Sequence, residues 1–409
     1  MDYLIRLVHV HESFRVPEIR ALAENANLPL TILAYDPKTP HLLIRVADEK
    51  QATTLIQRSI LSKGIYELWG QGETYEELHA TVRSTASARR ARYQHRSFRF
   101  EVDAYLGKRS ATEQRSLIES FRYLGLEGEI KMRGAEEEFC IFEAWDGDAT
   151  RLQRAYLGRL VGRSGRAAVQ KYDLKKRRYI STTSMDAELA LVTANLALAG
   201  PGKFFYDPFV GTGGFPIACA HLGAICIGSD IDGRSIRGKG EGKEEGRAGQ
   251  GKSVLGNFVQ YGLVAHWLDG FVADLTHSPV REGRWLDGIV CDPPYGVREG
   301  LKVLGSRDPV EGKETVYIDG VPAHQIPGYI PPKRPYSFEA MMEDILDFAA
   351  MMLVDGGRLS LWMPTANEEM GDLAIPLNEY LKVGRVDSSP IDDFRLQQRE
   401  NTDIERLPP

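Results

Sequence analysis

The part of the chain after about residue 176 alternates short apolar runs with helix-like segments, and this order limits the possible fold more than any other feature. Apolar runs at residues 204–207, 224–229, 270–273 and 285–291 each end in an aspartate or are followed directly by one. Alternating strands and helices are typical of a parallel α/β sheet, whose strands all end along one edge. The pattern therefore predicts such a sheet, with a ligand lying across that edge.

A glycine-rich segment, residues 207–214, follows the first of these runs. Gly211 and Gly213 stand where the strand turns into a helix, which allows the backbone to approach a ligand closely. The segment is not a dinucleotide motif, because Pro216 takes the place of its last glycine, and it contains no Gly-Lys-Ser/Thr of a triphosphate loop. We therefore expect a nucleotide-type ligand that needs no pyrophosphate site, with an ordinary turn as the alternative.

Aspartates close the next strands in order, at Asp230, Asp274 and Asp292. Asp230 lies about one strand-helix-strand unit beyond the glycine segment, a position suited to ribose hydroxyls, and Asp274 could accept the amino group of adenine. S-adenosylmethionine (SAM) fits these positions, because it offers a ribose, an adenine and an amino-acid tail. Each aspartate alone is equally compatible with a strand-end cap, so the ordered set favours the cofactor.

The fourth run is followed by Asp292-Pro293-Pro294-Tyr295. The Asp292 carboxylate and the Pro293 carbonyl can accept both protons of a planar amino group, and the Tyr295 ring can stack on the base that carries it. Such a clamp suits methylation of an exocyclic base nitrogen. A strand-ending turn is the alternative interpretation.

Charge is distributed unevenly along the chain of 409 residues, although its formal net charge is −6. Residues 81–100 contain six arginines and no acid, and residues 151–178 contain ten basic residues and one acid, Asp173. Clustered Arg and Lys side chains release counterions when they contact nucleic-acid phosphates. We therefore expect RNA or DNA contact in this half, with a solvated helix face as the alternative.

The length predicts two or three domains. Residues 1 to about 80 and about 95 to 175 each mix short strands with helix-like segments and hold no catalytic constellation, so both are predicted to be recognition domains. Farther on, Ser184 is predicted to cap a helix over residues 185–199, residues 238–251 to form a polar surface insertion, and residues 296–336 to form a lid or substrate loop. No final hairpin is recognisable before residue 407.

The four cysteines lack Cys-x-x-Cys spacing, which argues against a disulfide framework and against a metal site. No apolar stretch reaches membrane-spanning length, and the first residues are too polar for a signal peptide. We expect an intracellular, cytoplasmic protein.

Residues 207–213, 228–232, 273–276 and 292–296 together resemble motifs I to IV of class I SAM-dependent amino-methyltransferases. The lead-in, residues 175–188, is similar to that of one family, the eukaryotic and archaeal tRNA guanosine-10 N2-methyltransferases. The resemblance covers most of residues 150–370 and implies an α/β Rossmann-like class I methyltransferase domain at 176–409. An N-terminal ferredoxin-like domain at 1–80 and a THUMP-type RNA-binding domain at 81–175 would precede it.

The same resemblance implies transfer of a methyl group from SAM to N2 of a guanosine, at position 10, in tRNA. It also implies a partner, a small zinc-containing activator protein that covers an apolar edge of the methyltransferase sheet. Carried onto this sequence, it assigns the methionine part of SAM to Asp207, Gly211 and Gly213, the ribose to Asp230, the adenine to Asp274, the pocket lining to Thr183 and Ser184, and the guanine to Asp292, Pro293 and Tyr295. Ser181 and Thr182 depart from the family pattern.

The residues alone leave two other functions open. A methyltransferase for adenine N6 or cytosine N4 in other RNA or DNA would use the same clamp, because the clamp recognises an amino group rather than one ring. A non-catalytic RNA-binding protein could retain the fold. Protein-glutamine methylation is disfavoured, because that group carries Asn where this chain has Asp292.

Overall fold

The chain divides into two units, Met1–Lys171 and Tyr172–Pro409. The computed structural model describes residues 1–237, 251–294, 302–304, 317–322, 326, 333–364, 378, 380–386 and 399–406. Nearly all of the predicted insertion at 238–251 and most of the predicted loop at 296–336 lie outside the described residues. None of the helices in the described ranges combines the length and the apolar character that a membrane crossing needs.

The first unit is built on one seven-stranded sheet. Its strands are β1 Asp2–Leu7, β2 Thr31–Tyr35, β3 His41–Arg45, β4 Ser62–Gly72, β5 Phe98–Tyr105, β6 Glu137–Trp145 and β7 Leu152–Arg163, in the order β2-β3-β1-β4-β7-β6-β5. All neighbours are antiparallel except β5 and β6. The long strand β4 pairs with β1 on one side and β7 on the other, so both halves of the unit share the sheet.

Five helices accompany this sheet: α1 Glu12–Asn25, α2 Glu49–Ile56, α3 Tyr75–Tyr93, α4 Ala111–Ser120 and α5 Ala167–Lys171. Helices α1 and α2 pack on β1 and β3 through an aliphatic cluster that includes Leu22, Leu55 and Ile44. Helix α3 packs through Leu78 and Val82 on a second cluster around Trp69, Phe139 and Leu157. The predicted mixture of short strands and helices is present, whereas the domain limits at residues 80 and 175 stay predictions.

Buried ion pairs account for part of the arginine-rich stretches. Arg159, in β7, is 4% exposed, and its guanidinium nitrogens lie 2.9 Å from Glu67, 3.0 Å from Glu137 and 2.7 Å from Glu49. Arg96, which is exposed, and Arg99, which is half-buried, also pair with acidic residues of β6. Because a buried charge is tolerated only when it is paired, Arg159 stabilises the unit rather than offering its charge to phosphate.

Among its described residues, the second unit contains another seven-stranded sheet and two short two-stranded ones. The strands are β8 Phe204–Asp207, β9 Ile225–Asp230, β10 Trp267–Val272, β11 Leu286–Cys291, β12 Lys302–Leu304, β13 Tyr317–Ile318, β14 Val321–Pro322, β15 Lys333–Pro335, β16 Leu353–Pro364, β17 Leu381–Val386 and β18 Arg399–Arg406. The large sheet runs in the order β10-β9-β8-β11-β16-β18-β17. Its first five strands are mutually parallel, and β18 is antiparallel to both neighbours.

The helices of the second unit are α6 Ala187–Leu196, α7 Gly214–His221, α8 Gly233–Arg237, α9 Val254–Tyr261 and α10 Phe338–Met352. Helix α10 packs on the sheet through Met341, Ile345 and Phe348, against a core that includes Tyr206 and Leu359. The Ser337 side chain caps α10 by accepting from the Ala340 N–H at 3.1 Å. The parallel α/β architecture is confirmed.

Two predictions in this unit are wrong. Ser184 does not cap the helix: α6 begins later, and Asp186 accepts from the N–H groups of Glu188 and Leu189. A final hairpin is present, because β17 and β18 pair in antiparallel register. The sequence of β18 is polar and strongly charged, so it lacks the alternating apolar pattern by which strands are recognised.

Candidate cofactor and base site

Four aspartates line the carboxyl edge of the parallel sheet. Asp207 ends β8, Asp230 ends β9, Asp292 directly follows β11, and Asp274 lies two residues beyond β10. These four strands are direct neighbours in the order β10-β9-β8-β11. Chain order reverses between β8 and β11, which is where ligands bind in open parallel sheets. The structure thus places the predicted aspartates in one row at that point.

The Asp230 carboxylate connects the loops that follow β8 and β9. It accepts from the Gly211 N–H at 3.0 Å through Oδ2 and from the Asp232 N–H at 2.8 Å through Oδ1. Carboxylate oxygens accept from hydroxyl donors as well as from N–H groups, so this side chain is chemically suited to the vicinal hydroxyls of a ribose. Asp230 therefore shapes the glycine loop at the place where a ligand is expected.

Gly213 is required by its conformation and by a close neighbour. Its φ is +83°, a left-handed conformation that L-residues with a side chain rarely adopt. A Cβ at this position would also lie 2.9 Å from Cγ1 of Val254, the first residue of α9. The glycine loop is thus packed directly against α9.

Asp207 is buried, with 1% of its surface exposed, and accepts from the Phe209 N–H at 3.0 Å. Burial raises the pKa of the Asp207 carboxyl well above its usual range, although the Phe209 N–H opposes this, and the carboxylates of Asp230 and Asp292 raise it further. A group of acids that oppose each other's ionisation suits a ligand with positive charge. SAM carries positive charge on its sulfonium and its ammonium group, so the residues fit it.

Asp274 is both a cap and a candidate ligand-binding group. Its side chain accepts from the Thr276 N–H at 3.1 Å and so begins a short 3-10 helix, Leu275–His277. Only 7% of its surface is exposed. The cap orients the carboxylate just beyond the end of β10, and a carboxylate can accept from an adenine amino group.

The structure brings Ser184 to the glycine loop. Its Oγ is 2.8 Å from Oγ1 of Thr212 and accepts from the Ser181 N–H at 2.9 Å. Thr183 lies on the same turn, with its Oγ1 3.2 Å from Oγ of Ser181. Thr212, between the two glycines of the loop, is a contact that the sequence did not single out.

The base clamp is described only in part. Asp292 is half-buried, Pro293 is buried, and Tyr295 lies outside the described residues. Burial raises the pKa of the preceding Cys291 thiol, and the Asp207 and Asp292 carboxylates add to the effect. Asp292 is therefore close enough to Asp207 to belong to the same site.

Helix α9 holds the lead-in segment, a role that sequence reasoning missed. Asn257, fully buried, donates to the carbonyls of Tyr179 and Thr212 at 2.8 and 3.1 Å and accepts from the Tyr179 N–H at 3.0 Å. Gln260 accepts from the Arg178 N–H at 2.9 Å and donates to the Lys176 carbonyl at 2.7 Å. We call these two side chains the α9 clamp. The sequence contains a pattern that could have predicted this role, because two side-chain amides, three residues apart, stand in a largely apolar helix.

A metal site is not found among the described residues, which contain no group of three or more His, Cys, Asp or Glu able to hold an ion. Carboxylates in the row are instead bonded to backbone N–H groups, as in the case of Asp230. The arrangement can bind an organic cation and accept hydrogen bonds from hydroxyl and amino groups.

Two family models match the sequence. Residues 1–166 match a model described as Tmrp11 THUMP N-terminal domain, and residues 175–253 match one described as RMKL-like, methyltransferase domain. The division between the two matches falls close to the division between the two units of the structure.

Curated relatives match over nearly the whole chain. The tRNA (guanine(10)-N(2))-methyltransferase of Saccharomyces cerevisiae is 41% identical over 93% of this chain and 88% of its own length. Its counterpart in Schizosaccharomyces pombe is 35% identical over 99% of this chain and 90% of its own length. The human protein of the same name is 30% identical, with 93% of this chain and 83% of the relative covered.

Proposed function

The chain belongs to the tRNA (guanine(10)-N2)-methyltransferase family, and we propose that its row of aspartates carries out that activity. It is a SAM-dependent enzyme that methylates the exocyclic N2 of guanosine 10 in tRNA. The roles of individual residues in binding the cofactor and the base are proposed from one observation. It is the position of four aspartates at or just beyond the ends of neighbouring strands: Asp207, Asp230, Asp274 and Asp292. This placement favours an enzyme over a binding protein that has lost its catalytic residues.

We propose that the three strands β8, β9 and β10 hold the cofactor. Asp207, Gly211 and Gly213 surround the methionine part, Asp230 accepts from the ribose hydroxyls, and Asp274 accepts from the adenine amino group. Bound SAM supplies an electrophilic methyl group on a sulfonium. Thr183 and Ser184 line the same pocket, and support for this comes from the Ser184 contact with Thr212.

The guanine amino group is a weak nucleophile, because its lone pair is delocalised into the ring. We propose that the Asp292 carboxylate and the Pro293 carbonyl accept its two protons, which favours a pyramidal nitrogen whose lone pair points at the methyl group. Stacking of Tyr295 on the base would fix the ring. The rate then comes mainly from positioning and electrostatics.

Methyl transfer to a tRNA transcript tests the role of Asp292. We expect Asp292→Ala to lower kcat by about a hundredfold to a thousandfold while the Kd for SAM stays within a factor of about three. The matched control is Asp355→Asn, an exposed aspartate paired with Arg284 in the same unit. Unchanged turnover in Asp292→Ala would remove this carboxylate from the mechanism. Nucleoside mass spectrometry separates N2-methylguanosine from N6-methyladenosine or N4-methylcytidine.

We propose that the outer strand of the sheet binds a small zinc-containing activator protein. Strand β10 is the outermost strand on its side of the described sheet, so its backbone can pair with another chain. Apolar side chains lie exposed on β10, on α9 and between them: Leu255, Val259, Val264, Leu268 and Val272. An apolar patch beside an open strand edge is the surface that strand addition by a partner requires.

Co-purification with the activator tests this surface. Leu268 is 59% exposed in the isolated chain, so we expect Leu268→Asp to abolish the complex and its zinc without lowering the melting temperature of the isolated chain. Met351→Asp, at an exposed apolar position on α10, is the control and should bind normally. An isolated chain that is monomeric and as active as the mixture would overturn the proposal.

We also propose that residues 81–175 bind tRNA as a THUMP-type domain and that the protein works in the cytoplasm. Exposed basic side chains of the 151–178 run, such as Lys171 and Lys175, support RNA contact. All four cysteines are free thiols and buried, which is compatible with a reducing compartment. Binding of tRNA by Lys175→Glu, measured against salt concentration, should weaken and show a smaller slope.

A further inference from the structure

Arg177 is a buried cation whose head is incompletely satisfied. Its side chain is 5% exposed, and among the residues that the structure describes neither Nε nor Nη1 has a hydrogen-bond partner. Burying a guanidinium without partners is strongly unfavourable, so such groups are retained where a ligand completes them. In contrast, the equally buried Arg159 pairs with three carboxylates.

The backbone on both sides of Arg177 is fixed by the α9 clamp. Gln260 holds the Lys176 carbonyl and the Arg178 N–H, and Asn257 holds both backbone groups of Tyr179. The backbone from which the Arg177 side chain extends is thus held in place on both sides. This is the arrangement expected for a preorganised binding residue.

The guanidinium lies at the beginning of α7. Nη1 is 3.8 Å from the position that a Cβ on Gly214, the first residue of this helix, would occupy. The first turn of α7 contains no acidic residue, and its N-cap, Gly213, has no side chain with which to cap it. The N–H groups at a helix N-terminus carry partial positive charge. A cation and a helix N-terminus at one place favour an anionic ligand.

We infer that Arg177, together with the N-terminus of α7, binds the α-carboxylate of the methionine part of SAM. The inference rests on the proposed placement of that part at Gly211 and Gly213, directly before α7. The carboxylate is the one anionic group of the cofactor, and a planar guanidinium matches it with two parallel hydrogen bonds. Arg177 thereby selects cofactors with an amino-acid tail over nucleosides that lack one.

Calorimetric titration of the full chain with two ligands tests this inference. S-adenosylhomocysteine has the carboxylate, whereas 5′-methylthioadenosine lacks the whole amino-acid tail. We expect Arg177→Met to weaken binding of S-adenosylhomocysteine by about tenfold to a hundredfold and to leave binding of methylthioadenosine unchanged. Arg177→Lys should fall between, since it keeps the charge but not the paired geometry. Arg178→Met, its exposed neighbour, is the control and should bind both ligands normally.

The melting temperature of the ligand-free variants provides a second readout. Because Arg177→Met removes a buried charge that lacks partners, it should melt at the same temperature as the wild type or higher. A lower melting temperature together with equal loss of both ligands would assign Arg177 a structural role and overturn the inference. If the wild-type protein bound neither ligand, the cofactor site itself would be refuted. If the wild type and Arg177→Met bound S-adenosylhomocysteine equally well, only the role of Arg177 would be refuted.

Discussion

Replacing Asn257 with alanine tests whether the α9 clamp supports the cofactor pocket. The fully buried Asn257 amide makes three hydrogen bonds, two to the main chain of Tyr179 and one to the Thr212 carbonyl, at 2.8 to 3.1 Å. Each bond contributes about 1 kcal/mol net, so about 3 kcal/mol is lost. Alanine returns about half a kcal/mol through its helix propensity. The expected decrease in the free energy of unfolding is therefore about 2–3 kcal/mol.

Differential scanning calorimetry and hydrogen exchange measure this effect together. For a unit of this size the decrease corresponds to a melting temperature lower by about 5–10 °C. The Tyr179 amide, which donates to Asn257, should lose protection, whereas amides of the first unit should be unaffected. Val259→Ala is the control, because this residue lies on the same helix with its side chain exposed.

Local loss of the clamp should also weaken SAM binding, because Thr212 belongs to the glycine loop. A variant that melts within about 1 °C of the wild type, with unchanged protection of Tyr179, would refute the reasoning. It would mean that water or neighbouring groups replace the amide without cost, and that α9 does not position the lead-in segment.

Three further predictions concern single buried groups. The raised pKa of Asp207 means that the folded state holds its proton more tightly than the unfolded state, so the stability of the fold falls as pH rises above about 4. Ligand-free Asp207→Asn should therefore melt at a higher temperature than the wild type at pH 7. Calorimetry should show that this difference in melting temperature disappears near pH 4. Gly213→Ala combines a φ of +83° with a Cβ 2.9 Å from Val254, and urea unfolding should show a loss of about 1–3 kcal/mol together with weaker SAM binding. Glu67→Ala leaves the buried Arg159 short of a carboxylate and should cost about 3 kcal/mol, visible as faster hydrogen exchange in β4 and β7 only.

Each of these predictions has a contrary result. A pH-independent difference between Asp207→Asn and the wild type would show that the carboxyl is not held protonated. Gly213→Ala with normal stability would mean that α9 moves to make room. Loss of protection in the second unit of Glu67→Ala would show that the two units do not unfold separately.

The parallel sheet and its row of aspartates were predictable because local patterns encode them. Strand β8 has the predicted bounds, and β9 and β11 differ from the predicted runs by a single residue at one or both ends. In these segments a short apolar run is closed by an aspartate. Asp207, Asp230 and Asp292 were placed correctly for the same reason, since parallel strands bring their carboxyl ends together regardless of loop length.

What the sequence did not predict depends on contacts between distant residues. Asn257 is a lone amide in a helix until its partner, Tyr179, is known. Arg159 looked like part of a basic surface, because the carboxylates around it come from β4, β6 and α2. Ser184 resembled a helix cap, whereas its hydroxyl bonds Thr212. The roles of these polar groups were set by tertiary partners that no local window contains.

The position of β18 determines the order in which the second unit can assemble. This strand, residues 399–406, is not at the edge of the sheet but lies between β16 and β17. During synthesis the first unit can complete its own sheet as soon as β7 has left the ribosome. The described part of this sheet cannot close until residue 406 has emerged, because β18 is the one neighbour of β17 among the described strands. Removing β18 would thus detach two of these strands rather than one.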